Sequence, residues 1–383
     1  MYAPLQNTLT GVRTAYTNIS TPGDPFGLVY AMHGDFAFVS ITVNNTLGVL
    51  NTSTFAPTLI HRIELPAPFT QVEGATGIAL THDGRYVLVA AGPGAIIVNV
   101  ARAIAGSSDA VVGTLNGTVG AQRPGVYAIE VTITSNDKYA FVSQEYGPNA
   151  TIDATHGNID VFELHKPNKN GPVSGTALGY VNLGYAVVGT ALSPDGKYLY
   201  AVSETSTAND TTPGFLSVLD VKTLTTNPSE AAILSNVTAG CGDVRVIVSS
   251  DGEVVWLTAR ESNRLLGFNA SELVNNPANA LLASVQVGQS PVGLAFARNE
   301  TLILTADSNR FATTQSKLYA NETSGISVVN VAAALSGSNN AVYGSITTGL
   351  FPREFAVSPD GNTILVADYI SHQIQAIDVS TLP

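Results

Sequence analysis

Short apolar runs alternate with turns along the whole chain, and one pattern of two runs around a turn recurs seven times. The clearest copy is VVGTALSPDGKYLYAVSE, residues 187–204. The copies start about fifty residues apart, a period that indicates a solenoid, a propeller or another repeat array. They begin at Pro25, Ala75, Ala128, Val187, Asp243, Pro291 and Pro352.

Each copy has the pattern of a β-hairpin, with two apolar runs of strand length around a tight turn. Four of the turns are Asp-Gly pairs, in which glycine accepts a positive φ and aspartate bonds the local backbone. A third apolar run follows, as in FLSVLDV at 215–221, and a fourth comes after a looser loop. Four strands in each repeat are typical of a propeller blade. The Asp-Gly turns are Asp83-Gly84, Asp195-Gly196, Asp251-Gly252 and Asp360-Gly361.

Seven such repeats predict an all-β fold, a seven-bladed β-propeller with four antiparallel strands per blade, in a single domain over residues 1–383. The seventh repeat has only three strands before the chain stops at Pro383. Residues 1–22 are therefore expected to supply a closing strand and a linker, with the segment near 10–18 pairing as the outermost strand of the last blade. Such closure removes an exposed sheet edge. The blades are expected to start near residues 25, 75, 128, 187, 243, 291 and 352.

Composition agrees with strands that are buried on both faces, because charged residues make up only 12% and the mean hydropathy is +0.20. A net charge of −12 argues against nucleic acid and anionic membranes as partners, since both need patches of Lys and Arg. No apolar stretch is long enough to span a membrane. Cys241 is the single cysteine, which excludes an internal disulfide and thiolate zinc sites. Without histidine pairs, a calcium loop or a nucleotide motif, we expect no metal and no cofactor. We also expect the protein to be a monomer.

Ten Asn-x-Ser/Thr sequons indicate a glycosylated protein of the secretory pathway, although a surface rich in Ser, Thr and Asn would also produce them. Residues 1–4 have neither the basic nor the apolar region of a signal peptide. We therefore expect a secreted protein whose signal lies outside this sequence. The sequons are at Asn18, Asn44, Asn51, Asn116, Asn149, Asn209, Asn236, Asn269, Asn299 and Asn321.

In SPDGKYLYAVSE (193–204) and PREFAVSPDGNTILVAD (352–368) the chain resembles the YVTN-repeat propellers. These include the lactonase-like family, with 6-phosphogluconolactonase-type and muconate-lactonizing members. The resemblance covers nearly the whole chain and implies the propeller fold. For function, it implies metal-free acid–base chemistry in the central funnel, carried by Pro-Arg-His at the start of one innermost strand and Asn-Glu at the end of the next.

These family motifs are kept only in part. Glu204 holds the place of the glutamate, while Val187-Val188-Gly189 stand where Pro-Arg-His would be. In the seventh repeat, Pro352-Arg353-Glu354 keeps Pro-Arg, and Asp368-Tyr369 replaces Asn-Glu. No repeat therefore carries both halves of the motif.

Strand geometry places the starts of the first strands, the ends of the second strands and the loops that follow them on one face, here called the loop face. Alignment of the seven copies gives two columns of residues around the channel mouth on that face, and both are rich in charge. The charges form either a structural ring of salt bridges or a polar pocket in which crowded carboxylates take acid and base roles. For the pocket, the candidate catalytic residues are Glu130, Glu145, Glu204, Arg245, Arg260 and Arg353.

Three long loops after second strands, at residues 145–157, 204–214 and 307–325, lie on the same face. Long loops on a rigid scaffold carry binding residues, although these loops also carry sequons and fit a variable glycosylated surface equally. His156 is the one histidine expected to reach the mouth, and a lone loop histidine is often incidental. The candidate substrate-binding residues are Tyr146, His156, Asp307, Phe311, Tyr319, Glu354, Asp368 and Tyr369.

Two functions fit these features. The first is a secreted, cofactor-free enzyme that binds a small organic molecule in the funnel and performs ring closure or opening, dehydration or isomerisation, as a lactonase-like enzyme or a cyclase of secondary metabolism. The second is a non-catalytic secreted propeller that binds a glycan, a peptide or a protein through its loop face. A buried Glu–Arg pair with perturbed pKa values beside aromatic residues favours the first, and fully paired charges without a cavity favour the second.

Overall fold

The computed structural model describes residues 10–66, 74–117, 128–146, 156–166, 172–207, 212–310 and 324–383. In these ranges the chain forms seven four-stranded antiparallel sheets. The first strand of each sheet contacts the first strand of the next, and these contacts close into a ring. The prediction of an all-β, seven-bladed β-propeller is therefore confirmed.

Blades 1 to 6 each use four consecutive strands, ordered from the central axis outwards, and blade 7 uses three strands and the closing strand. The closing strand is β1 (Tyr16–Ser20). Blades 1 to 3 contain β2 (Pro25–Tyr30), β3 (Phe36–Ile41), β4 (Thr46–Asn51), β5 (Thr58–Glu64), β6 (Ile78–Leu80), β7 (Tyr86–Ala91), β8 (Gly94–Asn99), β9 (Val111–Asn116), β10 (Ala128–Ile133), β11 (Tyr139–Gln144), β12 (Asn158–His165) and β13 (Ser174–Asn182). Blades 4 to 7 contain β14 (Tyr185–Leu192), β15 (Tyr198–Thr205), β16 (Phe215–Asp220), β17 (Ile233–Thr238), β18 (Asp243–Val248), β19 (Val254–Ala259), β20 (Arg264–Asn269), β21 (Leu281–Gln286), β22 (Pro291–Ala297), β23 (Leu302–Asp307), β24 (Gly325–Asn330), β25 (Val342–Thr347), β26 (Pro352–Val357), β27 (Thr363–Asp368) and β28 (Gln373–Asp378).

The N-terminal strand closes the ring, at a later position than the sequence predicts. β1 pairs antiparallel with β28, and Tyr16 lies opposite Ile377. The residues before it bind blade 6 instead, since the Val12 N–H donates to the Ser345 carbonyl at 2.7 Å. The closing strand is therefore Tyr16–Ser20 and not 10–18, because the segment is shared between two neighbouring blades.

In the described residues, four blades carry a one-turn helix between their third and fourth strands, where the sequence predicts only a looser loop. Each helix begins after an Asn or Asp whose side chain accepts a backbone N–H three residues further on, a standard N-cap. The cap residues are Asn99, Asp220, Asn269 and Asn330. The helices are α1 (Val100–Ile104), α2 (Val221–Thr226), α3 (Ala270–Asn275) and α4 (Val331–Leu335), and short 3-10 turns follow at Glu230–Ala232 and Pro277–Asn279.

The tight turns lie on the face opposite the loops, and local side chains fix them. In blade 4, Ser193 Oγ donates to Asp195 Oδ1 at 2.7 Å and accepts the Tyr198 N–H at 3.0 Å. Gly196 adopts a φ of 70°, which glycine accepts without strain. The other Asp-Gly turns repeat this arrangement, so the turn chemistry sets the register of each hairpin.

Hydroxyl groups on the second strands join neighbouring blades near the axis. Ser143 Oγ accepts the N–H of Glu130 at 3.0 Å and donates to the Val188 carbonyl of blade 4 at 3.1 Å. Thr258 does the same in blade 5, accepting from Arg245 at 3.2 Å and donating to the Val292 carbonyl at 2.6 Å. In both blades the first strand has a β-bulge next to this contact. Bulges re-aim side chains, and here they present Glu130 and Arg245 at the axis.

The hydrophobic core lies between the blades, where facing sheets pack their apolar side chains. Trp256 and Tyr86 are among the large side chains that are fully buried there. In the part of the chain that the structure describes, no helix is long and apolar enough to cross a membrane. The core thus supports a rigid ring whose polar groups concentrate at the axis.

Candidate functional site

The third residue of each aligned copy lines the axis, and glycine and charge share this position. We call Glu130, Arg245 and Glu354, from blades 3, 5 and 7, the inner ring. The remaining blades carry glycine here, and a Cβ at Gly77 or Gly189 would lie 2.5 Å from a carbonyl of the next blade. Glycine therefore permits the close approach of the first strands, and the three larger side chains take the space at the axis.

The inner ring borders a small cavity at the centre of the propeller. The cavity has a volume of about 180 Å³, and its lining includes Gly27, Gly77 and the three charged residues of the inner ring. Such a volume holds several water molecules or one end of a small ligand. The larger cavities of about 600 Å³ lie between blades, away from these charges.

Arg245 is held by a carboxylate of the inner ring. Its guanidinium forms an ion pair with Glu354, and one of its nitrogens donates to the Val244 carbonyl at 3.1 Å. Burial lowers the pKa of Arg245, but the carboxylates of Glu354 and Glu130 raise it above its ordinary value. Arg245 therefore stays fully charged at the axis.

Glu130 is the inner-ring group that can exchange a proton. Its Oε2 accepts the N–H of Thr190 at 2.8 Å. Burial raises the pKa of Glu130 to about 7, against the attraction of Arg245 and with the repulsion of Glu354. A carboxyl group with this pKa is present in both protonation states at neutral pH, as acid–base catalysis requires.

A second group of charges lies one layer closer to the loop face. We call Glu204, Arg260, Arg310 and Arg353, with the rings of Phe26, Phe351 and Tyr369, the rim cluster. Both terminal nitrogens of the Arg260 guanidinium donate to the Glu204 carboxylate, at 2.6 and 2.9 Å, in the bidentate geometry typical of strong Arg–carboxylate pairs. Burial would raise the pKa of Glu204, but Arg260 and the other rim arginines lower it below its ordinary value.

Arg353 is surrounded by aromatic rings. Its guanidinium carbon lies 3.6 Å from the centre of the Phe26 ring, 5.4 Å from that of Tyr369 and 5.5 Å from that of Phe351. Burial lowers the pKa of Arg353 to about 9, and repulsion by Arg310 and Arg245 adds to this effect. Arg353 is still a cation at neutral pH, and cation–π contacts stabilise it.

The inner ring and the rim cluster form one coupled set of charges. Glu204 raises the pKa of Arg245, and Arg353 is repelled by Arg245. The structure therefore brings together five of the six candidate catalytic residues on one side of the propeller. These are Glu130, Glu204, Arg245, Arg260 and Arg353, and the candidate binding residues Glu354 and Tyr369 join them.

Glu145 and Tyr146 lie at the border of this set. Burial and the charge of Glu145 raise the pKa of Tyr146, and Glu204 contributes as well. The Tyr146 ring packs on Tyr185 with centroids 5.6 Å apart. His156 is exposed, and its Nδ1 lies 3.0 Å from the Leu183 carbonyl, so its ring contacts backbone between blades. The candidates Phe311 and Tyr319 lie outside the residues that the structure describes.

Asp307 and Asp368 are buried within their own blades. Asp307 accepts hydrogen bonds from Thr305 at 2.8 Å and Ser327 at 2.6 Å. Asp368 accepts the Gly349 N–H at 3.0 Å and the Gln373 amide at 2.8 Å. Burial raises their pKa values, to about 7 for Asp307 and about 6 for Asp368. These carboxyl groups hold strand ends and loops in place.

Sequence reasoning missed the two phenylalanines of the rim cluster. Phe26 is the second residue of the first copy, and Phe351 comes directly before the seventh copy. Both read as ordinary core residues, and only the ring brings the first and last blades together around Arg353. Asp160 and Asp243, which are also buried carboxyl groups with pKa values raised by burial to about 7 and about 8, were outside the candidate set. Among the described residues, no three His, Cys, Asp or Glu side chains group to hold a metal ion.

Comparison with known proteins shows the fold. No family model matches the sequence, and no curated protein matches it either. The chain is similar to a solved structure of Kuenenia stuttgartiensis hydrazine synthase, with 14% identity over 99% of both chains and a TM-score of 0.68. It is also similar to a chain of a mitotic checkpoint complex, with 13% identity over 99% of both chains and a TM-score of 0.68.

A third similar structure is the β-propeller domain of Cps50 (Swd1) from Myceliophteria thermophila. It has 12% identity and a TM-score of 0.63, and the match covers 96% of this chain and 100% of that one. At such identities the likeness shows a seven-bladed propeller, a fold that hosts many unrelated functions. Function must therefore be argued from the site.

Proposed function

We propose that the protein binds a small organic molecule in the central funnel and performs cofactor-free acid–base chemistry on it. Ring closure or opening, dehydration and isomerisation belong to this class, in the manner of a lactonase-like enzyme or a secondary-metabolite cyclase. The observation that carries the proposal is Glu130, a half-buried carboxyl group beside Arg245 at a central cavity, with a pKa raised by desolvation to about 7. Such pKa values favour general acids and bases that work near neutral pH.

Each inner-ring residue has a role in this chemistry. Glu130 takes a proton from the ligand or gives one to it. Arg245 stabilises the negative charge that develops on a ligand oxygen, because a cation that is already held in position by Glu354 needs little reorganisation. Glu354 holds Arg245 in place through their ion pair. The proposal agrees with the resemblance to lactonase-like propellers, although the Pro-Arg-His and Asn-Glu motifs are incomplete.

The experiment compares Glu130→Gln with the wild-type protein on a panel of lactones, their hydroxy acids and unsaturated carboxylic acids, with products followed by mass spectrometry. Glu130→Gln keeps the shape and removes the proton exchange, so conversion should fall by roughly 100-fold or more. Glu163→Gln is the matched control, since Glu163 is paired with Lys138 at 3.4 Å on the outside of blade 3. Equal conversion by both variants would contradict the proposed role.

A second measurement tests the role without a known substrate. The carboxyl stretch of Glu130, isolated as the infrared difference between wild type and Glu130→Gln, should titrate near pH 7. A carboxyl group that is already fully ionised at pH 5 could not serve as the acid. In that case the acid–base proposal fails even if a ligand binds.

The alternative is a propeller without catalysis that binds a glycan, a peptide or a protein through its loop face. The paired state of Glu204 with Arg260 and of Arg245 with Glu354 favours it, because a structural network needs no ligand. The similarity to a chain from a mitotic checkpoint complex is compatible with protein binding. Under this alternative, Glu204→Gln lowers stability and leaves binding of the partner unchanged.

We also propose that the protein is secreted and glycosylated. Of the seven sequons in the described part of the chain, five asparagines have exposed side chains. Expressed in a eukaryotic secretory host, the protein should lose mass on endoglycosidase treatment. Occupancy at none of the ten sequons would remove this argument for an extracellular location. The exposed asparagines are Asn18, Asn44, Asn116, Asn236 and Asn299.

A further inference from the structure

Arg353 stands at a position where every other blade has an uncharged side chain. It is the second residue of the seventh copy, directly before the inner ring. Several side chains of this column belong to a single apolar cluster, which also contains Phe351. In blades 1 to 6 the column reads Phe26, Thr76, Ile129, Val188, Val244 and Val292.

Arg353 also differs from the other arginines of the site in its partners. Arg245 and Arg260 are each paired with a carboxylate, namely Glu354 and Glu204. Among the residues that the structure describes, Arg353 contacts aromatic faces and has no hydrogen bond or ion pair, and its Nε is buried. A half-buried guanidinium whose Nε is shielded from water and which has no anion is costly, since aromatic faces replace only part of its hydration.

A second arginine of the rim cluster lies close to Arg353. Arg310 lies above the Phe351 ring, with its guanidinium carbon 5.4 Å from the ring centre. The repulsion between Arg310 and Arg353 lowers the pKa of Arg353, which burial has already lowered. Glu354 and Glu204, whose charges act on the rim, form ion pairs with Arg245 and Arg260 respectively. A negative charge supplied from outside the protein would therefore be stabilised here.

We propose that Arg353 binds the carboxylate of a small organic acid whose apolar body lies against the half-buried ring of Tyr369, while the buried rings of Phe26 and Phe351 flank the guanidinium. A guanidinium presents two parallel N–H groups that match the two oxygens of a carboxylate. The Tyr369 ring suits a flat, apolar body, and it suits inorganic phosphate poorly. The inference rests on the proposed function, because it names the substrate class of the same site. It places the acid group beside the inner ring, because Arg353 directly precedes Glu354 in the first strand of blade 7.

Isothermal titration with benzoate and with benzamide tests this inference on the full-length protein. Benzoate should bind the wild-type protein, and benzamide, which has the same shape without the charge, should bind roughly tenfold to a hundredfold more weakly. Arg353→Leu should remove the preference for benzoate. Arg353→Lys should keep only part of it, because the ammonium group lacks the planar fork.

The matched control is Arg85→Leu. Arg85 also stacks on an aromatic ring, with 5.2 Å to the centre of Tyr86, but it lies at a tight turn on the opposite face. This variant should bind benzoate like the wild type. Equal loss of binding in both variants, or equal binding of benzoate and benzamide by the wild type, would overturn the inference. So would competition by inorganic phosphate as strong as that by benzoate.

The thermal unfolding midpoint of Arg353→Leu is a second measurement. A ligand-binding role and a purely structural role of Arg353 predict opposite changes in this midpoint. If the anion that pairs with Arg353 comes from a ligand, the Arg353→Leu variant should unfold at the same temperature as the wild type or higher. The substitution then removes an unpaired, half-buried charge. A large drop in the midpoint, together with no benzoate binding by the wild type, would mean that a protein group satisfies Arg353.

The outcomes also separate this inference from the proposed function. If benzoate binding depends on Arg353 but Glu130 does not titrate near neutral pH, the carboxylate site is supported and the acid–base chemistry is rejected. If turnover of neutral lactones depends on Glu130 but the protein does not distinguish benzoate from benzamide, the chemistry is supported and the carboxylate site is rejected.

Discussion

At the scale of single residues, the axis is organised by which blades carry glycine and which carry charge. Glycine at the third position of four copies lets neighbouring first strands approach, and a Cβ at Gly77 or Gly189 would meet a carbonyl oxygen of the next blade. Glu130, Arg245 and Glu354 occupy the other three positions and border the cavity that remains. Side-chain size therefore matters at the axis as much as charge: glycine stands where strands approach closely, and charged side chains fill the space that remains.

Arg245→Met should destabilise the protein, because it leaves the carboxylate of Glu354 buried without its cation. Breaking a buried ion pair costs about 3–5 kcal/mol, whereas replacing both partners costs much less. The free energy of unfolding in guanidinium chloride should therefore fall for Arg245→Met and recover in the double variant with Glu354→Gln.

The control for this prediction is Lys138→Met, which breaks the partly exposed pair with Glu163. A surface pair of this kind is worth about 1 kcal/mol or less. If Arg245→Met were as mild as the control, the inner ring would not hold a tightly paired Arg245, and its assignment as a fixed cation would have to be given up.

At the scale of elements, short local signals decide how strands are joined and how the ring closes. Asn or Asp N-caps convert four connections into one-turn helices. In blades 3 and 5, hydroxyls of the second strands connect the bulge to a carbonyl of the next blade, as Ser143 and Thr258 do. The N-terminal segment binds two blades, through β1 to β28 and through Val12 to Ser345.

Deletion of residues 1–20 should lower the thermal midpoint and promote aggregation. The deletion removes the outermost strand of blade 7 and the contact with blade 6, and it leaves β28 as an unpaired sheet edge. Differential scanning calorimetry and light scattering measure both effects. A shorter deletion of residues 1–9 removes none of the described pairings and should unfold like the full chain; an unchanged midpoint for the longer deletion would refute the closing role of β1.

At the scale of the whole molecule, burial of carboxyl groups links stability to pH. Five acids, four of them buried and Glu130 half-buried, have pKa values that desolvation raises to between about 6 and about 8. The folded protein therefore binds more protons than the unfolded chain over this range. The net charge of −12 acts in the same direction, because repulsion grows as further carboxyl groups ionise. The five residues are Glu130, Asp160, Asp243, Asp307 and Asp368.

The protein should become less stable as pH rises from about 5 to about 8. A raised carboxyl pKa means that ionisation in the folded state is unfavourable, so stability is lost between the unfolded and the folded pKa values. Asp243, raised from 3.8 to about 8, should contribute strongly. Asp243→Asn should therefore unfold at a higher temperature than the wild type at pH 8, with a smaller difference at pH 5. Parallel curves for the two proteins across this range would contradict the assignment.

Much of the fold could be predicted from the sequence because its signals are local and repeated. The Asp-Gly turns set each hairpin, the apolar runs give the strands, and the missing fourth strand of the last repeat predicts closure by the N-terminus. The position of β1 could not be predicted, since nothing in residues 10–20 shows that blade 6 takes the first part of this segment. The one-turn helices were overlooked, although the Asn and Asp caps were visible.

The sequence by itself determined which positions carry charge at the start of the first strands and at the end of the second strands. Its period alone was sufficient to place Glu130, Arg245 and Glu354 at the axis. Tertiary structure decided the pairing, since Arg245 of blade 5 meets Glu354 of blade 7 at the axis, and Arg260 of blade 5 meets Glu204 of the adjacent blade 4. It also placed the carboxyl groups of Asp307 and Asp368 inside their own blades, where they accept local hydrogen bonds. Finally, it surrounded Arg353 with the rings of Phe26, Tyr369 and Phe351. The physical reason is that repeat position fixes the layer of a side chain, whereas its partner and its dielectric environment depend on contacts between blades.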